Sequence, residues 1–153
     1  MIRVGLLADH AEALGLLAAA LEAEWGDWYG PGRASARDDL VARTRRSGLP
    51  LGLVACDAGT VLGTCALTET SGSLATDRGP WLGGLLVLPA HRRRGVGAAL
   101  VRGAAAEARQ HGHRHLFTLT RDAAALFDAL GWQRLETVDL DGTPYRIHAC
   151  DLP

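Results

Sequence analysis

The stretch "WLGGLLVLPAHRRRGVGAALV", residues 81–101, constrains the fold most. An apolar run ends at Pro89, which has no N–H with which to continue a ladder. A turn holding Arg92, Arg93, Arg94, Gly95 and Gly97 follows, and alanine-rich helical spacing takes over at about 96–111. The order is therefore strand, tight turn, helix N-terminus. The first N–H groups of a helix lack internal partners and point outward at the positive end of its dipole. Glycines without a Cβ let such a backbone curl closely around an anion. Arginine at that end of a helix opposes the dipole, so an anionic ligand accounts for three of them better than a solvated turn does.

Which anion is decided by elimination. The formal net charge is −1 and no aromatic residue interleaves the arginines, which argues against a nucleic-acid surface. A dinucleotide fingerprint needs a third glycine where Leu100 stands, and no acidic residue ends a strand about 20 positions further on. A P-loop would need Gly-Lys-Ser/Thr, which is absent. A cradle for some other phosphate is what survives.

The remainder reads as one α+β unit over residues 1–153, a length that fits one domain with a single sizeable core. Residues 2–8 suit a first strand, with Asp9 capping a helix that runs on through "EALGLLAAALEAEW". Ser35 and Asp38 suggest a capping box for a second helix at about 36–47. "LGLVACDAGTVLGTCALTET" reads as two antiparallel strands about a turn at Asp57–Thr60, and 71–80 as a loop. After the motif helix come a strand "RHLFTLT", a short helix "RDAAALFDAL" ended by Gly131, and a hairpin of "WQRLETVDL" and "YRIHACDL". The expected order is β-α-α-β-β-β-α-β-α-β-β. Cys56, Cys65 and Cys150 form no Cys-x-x-Cys and read as reduced strand residues of a cytoplasmic protein. No stretch approaches the roughly 20 apolar residues of a membrane span, and no signal peptide is read at the N-terminus.

"LLVLPAHRRRGVGAALV" resembles the acetyl-coenzyme-A signature of the GNAT superfamily of N-acyltransferases. Arg92, Gly95 and Gly97 meet its Gln/Arg-x-x-Gly-x-Gly/Ala core, and Val87 and Pro89 its preceding Val-x-Pro. "AALFDALGW" resembles the second motif, an alanine-rich helix ending Tyr-x-x-x-Gly-Phe. The resemblance implies a mixed, mostly antiparallel central sheet flanked by about four helices. It implies acetyl-CoA as co-substrate, with backbone amides of Arg93, Arg94, Gly95, Val96, Gly97 and Ala98 on the pyrophosphate. Leu85, Leu86 and Val87 would bind the pantetheine arm as an added strand, in a splay between their strand and "RHLFTLT". An N–H in the same stretch would stabilise the oxyanion. Gly83–Gly84 fits a bulge there. An amine of a small molecule or peptide N-terminus would attack from the opposite side, with no metal, nucleic acid or membrane involved, in a monomer or homodimer.

The resemblance also places Arg92, Thr120 and Phe127 among the coenzyme-binding residues, and the last two depart from the pattern. Phe127 stands where many members place the tyrosine that protonates the leaving thiolate, and Thr120 where an asparagine is frequent. Phe127 also motivates a second reading, a catalytically silent acyl-CoA-binding or sensing protein. The sequence assigns no catalytic residue; Glu69, Asp77, His115, Tyr145 and His148 are candidates for proton transfer. Trp28, Tyr29 and Trp81 are candidate acceptor contacts, since aromatic faces attract ammonium groups. "HGHRH" (His111, His113, His115) lacks a further ligand to complete a tetrahedral metal set.

Overall fold

The computed structural model describes residues 1–72 and 74–153. Seven strands form one sheet: β1 (Arg3–Leu6), β2 (Leu51–Asp57), β3 (Thr60–Thr68), β4 (Trp81–Val87), β5 (His115–Thr120), β6 (Gln133–Leu140) and β7 (Thr143–Asp151). Their spatial order is β1-β2-β3-β4-β5-β7-β6, and every adjacent pair is antiparallel except β4 with β5. The helices are α1 (Leu14–Glu24), α2 (Ala36–Ala42), α3 (Val96–Gln110) and α4 (Ala124–Ala129). This is the mixed α+β architecture and element order that the sequence predicts. No helix among the described residues is long and apolar enough to cross a membrane.

Period-two alternation divides the core into two layers. Along β2, Leu51, Leu53 and Ala55 join Leu100, Val101, Ala104 and Phe127 beneath α3 and α4. Val54 between them points the other way, to Leu17, Leu21, Ala36 and Leu40 of α1 and α2. Small residues let the layers close. A Cβ built on Gly103 would lie 2.6 Å from Val4, so α3 rests directly on β1.

Element ends differ from the sequence expectations for local reasons. β1 stops at Leu6, and single 3₁₀ turns at Leu7–Asp9 and Ala11–Ala13 lead into α1. Asp9 caps nothing; its carboxylate accepts from Arg46 Nη2 instead. Ser35 does cap α2, its Oγ accepting the Asp38 N–H at 3.1 Å. That helix ends at Ala42 rather than near 47, because the Arg43 carbonyl accepts from Gly52 N–H at 2.9 Å and draws the chain toward β2. α4 is also shorter than expected, starting only after the Ala123 N–H donates to Thr120 Oγ1 at 2.9 Å. Within the expected loop at 71–80, Ser73 lies outside the described residues, and the others are neither helix nor strand.

The glycine pair in β4 makes the expected bulge. Opposite β3 the register shifts between Thr64↔Leu86 and Ala66↔Gly83, and Gly84 takes φ +58°, a left-handed value that favours glycine. One extra residue reverses the parity of the strand. Leu82 packs under α3 before the bulge, Leu85 and Val87 pack there after it, and Leu86 turns to the α1–α2 layer.

Close approach at the bulged pair makes β3 intolerant of added bulk. A Cβ at Gly63 would sit 2.5 Å from the Leu86 carbonyl oxygen and 3.2 Å from Val87 Cα. Gly63→Ala is therefore expected to destabilise by about 1–3 kcal/mol. Gly15 lies exposed in α1 with nothing within 4 Å of its would-be Cβ. Gly15→Ala is expected to stabilise by up to about 1 kcal/mol. Urea unfolding of the two variants checks the opposite signs.

Candidate active site

β4 and β5 pair only through Trp81↔Phe117 and Leu82↔Thr118, and then diverge. Thr118 Oγ1 donates to the Leu82 carbonyl at 3.0 Å, which pins the apex of the resulting gap. Beyond Leu82 the β5 edge of β4 has no strand partner among the described residues, so the peptide groups of residues 83–87 that face the gap are not taken up by a neighbouring strand. Leu85, Leu86 and Val87 line this segment, Leu86 buried and the other two half-buried.

At the C-terminal end of β4 the chain turns into α3 through Arg92–Gly95. Among the described residues, no backbone amide from Arg93 through Ala98 finds an acceptor; the first to do so is Ala99, whose N–H donates to Gly95 O at 3.1 Å. Six consecutive donors exceed the four orphans that a helix start alone leaves. Left-handed values at Arg93 (φ +63°) and Gly95 (φ +81°) curl the turn into a concave nest. Gly97 serves by its smallness, since a Cβ there would lie 3.3 Å from Leu126 of α4.

The three arginines are not equivalent. Arg92 is fixed by structure, Nε donating to Val87 O at 3.0 Å and Nη2 to Glu24 Oε2 at 3.1 Å. Arg94 Nη1 donates to His91 Nδ1 at 3.0 Å and reaches Asp57 at 3.8 Å. Arg93 is exposed and, among the described residues, has no ion-pair partner.

On the other side of the sheet a cleft of about 310 Å³ opens between Asp39, Ala42 and Arg43, the Leu49–Pro50 turn, and Thr68–Thr70 at the end of β3. Tyr29, itself buried, donates its hydroxyl to Asp39 Oδ2 at 2.9 Å. Burial, and then the Asp39 carboxylate, push the Tyr29 pKa up to about 12, so it stays a donor at neutral pH. Trp28 is exposed on the surface. Trp81 does not form part of the cleft wall. It is fully buried, its indole N–H donates to Arg78 O at 2.8 Å, and its ring lies against Phe117 with centroids 5.6 Å apart.

The proton-transfer candidates do not converge. Glu69 lines the cleft and is exposed. Asp77 lies exposed in its loop, Tyr145 is half-buried in β7, and His115 is exposed with Nδ1 3.0 Å from Asp151. His148 is fully buried, with Nε2 2.9 Å from Asp128 Oδ1 and Nδ1 buried and unpartnered. Thr120 is buried and held at the start of α4. Phe127 is 1% exposed and packed between Trp132 (centroids 4.9 Å) and His148 (5.8 Å), a core aromatic that seats α4 on the sheet. Of the histidine cluster, His111 folds back on Glu107 and His115 on Asp151. Sequence reasoning missed Arg43, Asp39 and Asp128. Their only signal was charge within helical segments, which ordinarily marks a solvated face.

The acetyltransferase (GNAT) family profile matches residues 17–132, and the chain belongs to that family. No curated protein matches the sequence. Among solved structures, it resembles an aminoglycoside 6'-N-acetyltransferase complexed with coenzyme A (TM-score 0.76, 15% identity, covering 100% of this chain and 97% of that one). It also resembles YncA from Salmonella typhimurium with its cofactor acetyl-CoA (0.71, 20%, 100% and 94%). A third likeness is to N-acetylglutamate synthase from Neisseria gonorrhoeae, with coenzyme A and N-acetyl-glutamate (0.71, 16%, 100% and 35%). At these identities the likeness is one of fold.

Asp128 gives the site region a pH signature. Hydrogen bonds from Arg134 first, then from His148, hold its carboxyl down to about 2. The group has its folded pKa below the unfolded value of about 3.9, so its contribution is complete above the latter. It is lost as pH falls through the folded value. Stability measured by urea unfolding should drop between pH about 4 and about 2. In Asp128→Asn the slope over that window should be shallower; an unchanged slope contradicts the assignment.

Proposed function

We propose that the chain, acting as one domain over residues 1–153, transfers an acetyl group from acetyl-CoA to a primary amine of a small molecule or peptide N-terminus. One observation carries the reading: six unpartnered amides, Arg93–Ala98, stand at the mouth of the gap between β4 and β5. Their outward N–H groups and the positive end of the helix dipole suit the anionic diphosphate of coenzyme A, with the exposed Arg93 adding a cation. The unpaired edge of β4 at Leu85–Val87 takes the pantetheine arm as an extra strand takes a sheet edge. The bulge at Gly84 then presents an amide to the thioester carbonyl oxygen.

Acetyl-CoA supplies the acetyl group on a thioester. The acceptor arrives by the α1–α2 face, and its ammonium first gives up a proton to Glu69 or to water at the cleft. The amine lone pair forms the C–N bond, the C–S bond breaks with its electrons on sulfur, and the second proton of the nitrogen passes through water to the thiolate, leaving an N-acetyl amine and coenzyme A. Phe127 has no proton to give. A thiol with a pKa near about 8.5 leaves as thiolate without one, and a missing general acid costs roughly 10²–10⁴ in rate. Phe127 is also what favours the second reading, a chain that binds acyl-CoA and does not turn it over.

Acetyl-CoA at about 100 times its Kd should raise the melting temperature by about 5–10 °C. Gly97→Trp should erase the rise by filling the space beside Leu126 and the nest. Thiol release with an amine panel separates transferase from sensor. No rise in the unsubstituted chain contradicts the co-substrate.

A further inference from the structure

We propose that Arg43 anchors a carboxylate of the acceptor, so that the amine acetylated is that of a free α-amino acid. The inference rests on the transferase reading above and names its substrate class.

Arg43 follows the last residue of α2 and sends its guanidinium across to the β4 bulge. A Cβ built on Gly84 would lie 3.1 Å from Nη1 and 3.7 Å from both Cζ and Nη2. The missing side chain at Gly84 is what makes room for the cation there. Nη1 is buried and has no hydrogen-bond partner, and among the described residues no carboxylate lies within ion-pair distance of Arg43. The nearest acid along the helix, Asp39, accepts the Tyr29 hydroxyl instead. A charged donor held out of water without an acceptor is costly, and arginine at such a place is suited to the two oxygens of a carboxylate.

The surroundings choose the rest of the ligand. Arg43 shares its cleft with Asp39 and Glu69, one cation beside two anions. A zwitterion satisfies both signs, with carboxylate on Arg43 and ammonium toward the acids. A polyamine would leave Arg43 facing like charge. At about 310 Å³ the cleft lies at the small end of ligand pockets, which run from about 300 to 1,000 Å³. A carboxylate seated over Gly84 keeps an amine on the adjacent carbon beside the bulge, where the thioester carbon would lie. Glu69, on the same wall, can take the proton that the ammonium releases.

The test uses the full chain saturated with coenzyme A for binding, or with acetyl-CoA for turnover. The standard α-amino acids are each tried beside their carboxamides and decarboxylated amines. At least one amino acid is expected to bind, and to be acetylated with kcat/KM about 10- to 100-fold above that of its own carboxamide. Arg43→Gln should bring that ratio close to one, and Arg43→Lys should recover part of it. Both variants should keep the acetyl-CoA-induced rise in melting temperature. The inference is overturned if no amino acid binds the coenzyme-loaded chain, or if carboxamides or decarboxylated amines serve as well as the acids. It is equally overturned if Arg43→Gln leaves the ratio intact or removes the acetyl-CoA response. Binding of amino acids without turnover supports Arg43 as the anchor while contradicting the transferase reading. Loss of the acetyl-CoA response in the unsubstituted chain brings down the parent reading, and this one with it.

Discussion

β4 and β5 are joined at two residue pairs and then part, and the arrangement of the site follows from that separation. Parallel strands that kept pairing would consume the amide edge of residues 83–87 and close the sheet. Here Thr118 bonds the Leu82 carbonyl at the apex, and the strands diverge beyond it. The bulge at Gly84 works with the gap. By reversing side-chain parity it keeps Leu85 and Val87 under α3. Two glycines at the middle of an apolar strand would otherwise be a weakness.

The two faces of the sheet divide the chemistry. The α3 side offers backbone: six amides unpartnered among the described residues, and two left-handed residues, beside the exposed Arg93. The α1–α2 side offers side chains, where Arg43, Asp39 and Glu69 line a small cleft. Neither face supplies a proton to sulfur from α4. Phe127 there is a packing residue, and the neighbouring Asp128 binds Arg134 and the buried His148, tying the helix to β6 and β7. On the proposed reading, transfer would rely on placement and on the acidity of a thiol more than on an acid held over the leaving group.

The turn from β4 into α3 was legible in the sequence because local rules determine it. Pro89 stops a strand, Gly95 permits a left-handed turn, and helical spacing begins at Val96, so the nest could be placed to the residue. Gly83–Gly84 announced the bulge in the same way. The cleft on the α1–α2 face was not legible, because it depends on where α2 ends. The spacing of residues 36–47 looks helical throughout, and only the tertiary bond from Gly52 to the Arg43 carbonyl ends the helix and turns that side chain to the bulge. Trp81 shows the opposite limit. Its position beside a glycine-rich loop suggests an open aromatic face, whereas pairing with Phe117 and a bond to Arg78 bury it. Charge and aromaticity are visible in a sequence; which face of a sheet they reach is not.

The central claim is that the unpartnered amides of Arg93–Ala98 hold the coenzyme diphosphate. Amide nitrogen–proton NMR during titration with coenzyme A tests it most directly, since new hydrogen bonds to phosphate move the resonances of their donors. The account predicts large downfield shifts for the amides of residues 93–98, and the same shifts with the adenosine diphosphate portion alone. Perturbations elsewhere on the sheet with these six unmoved would contradict it.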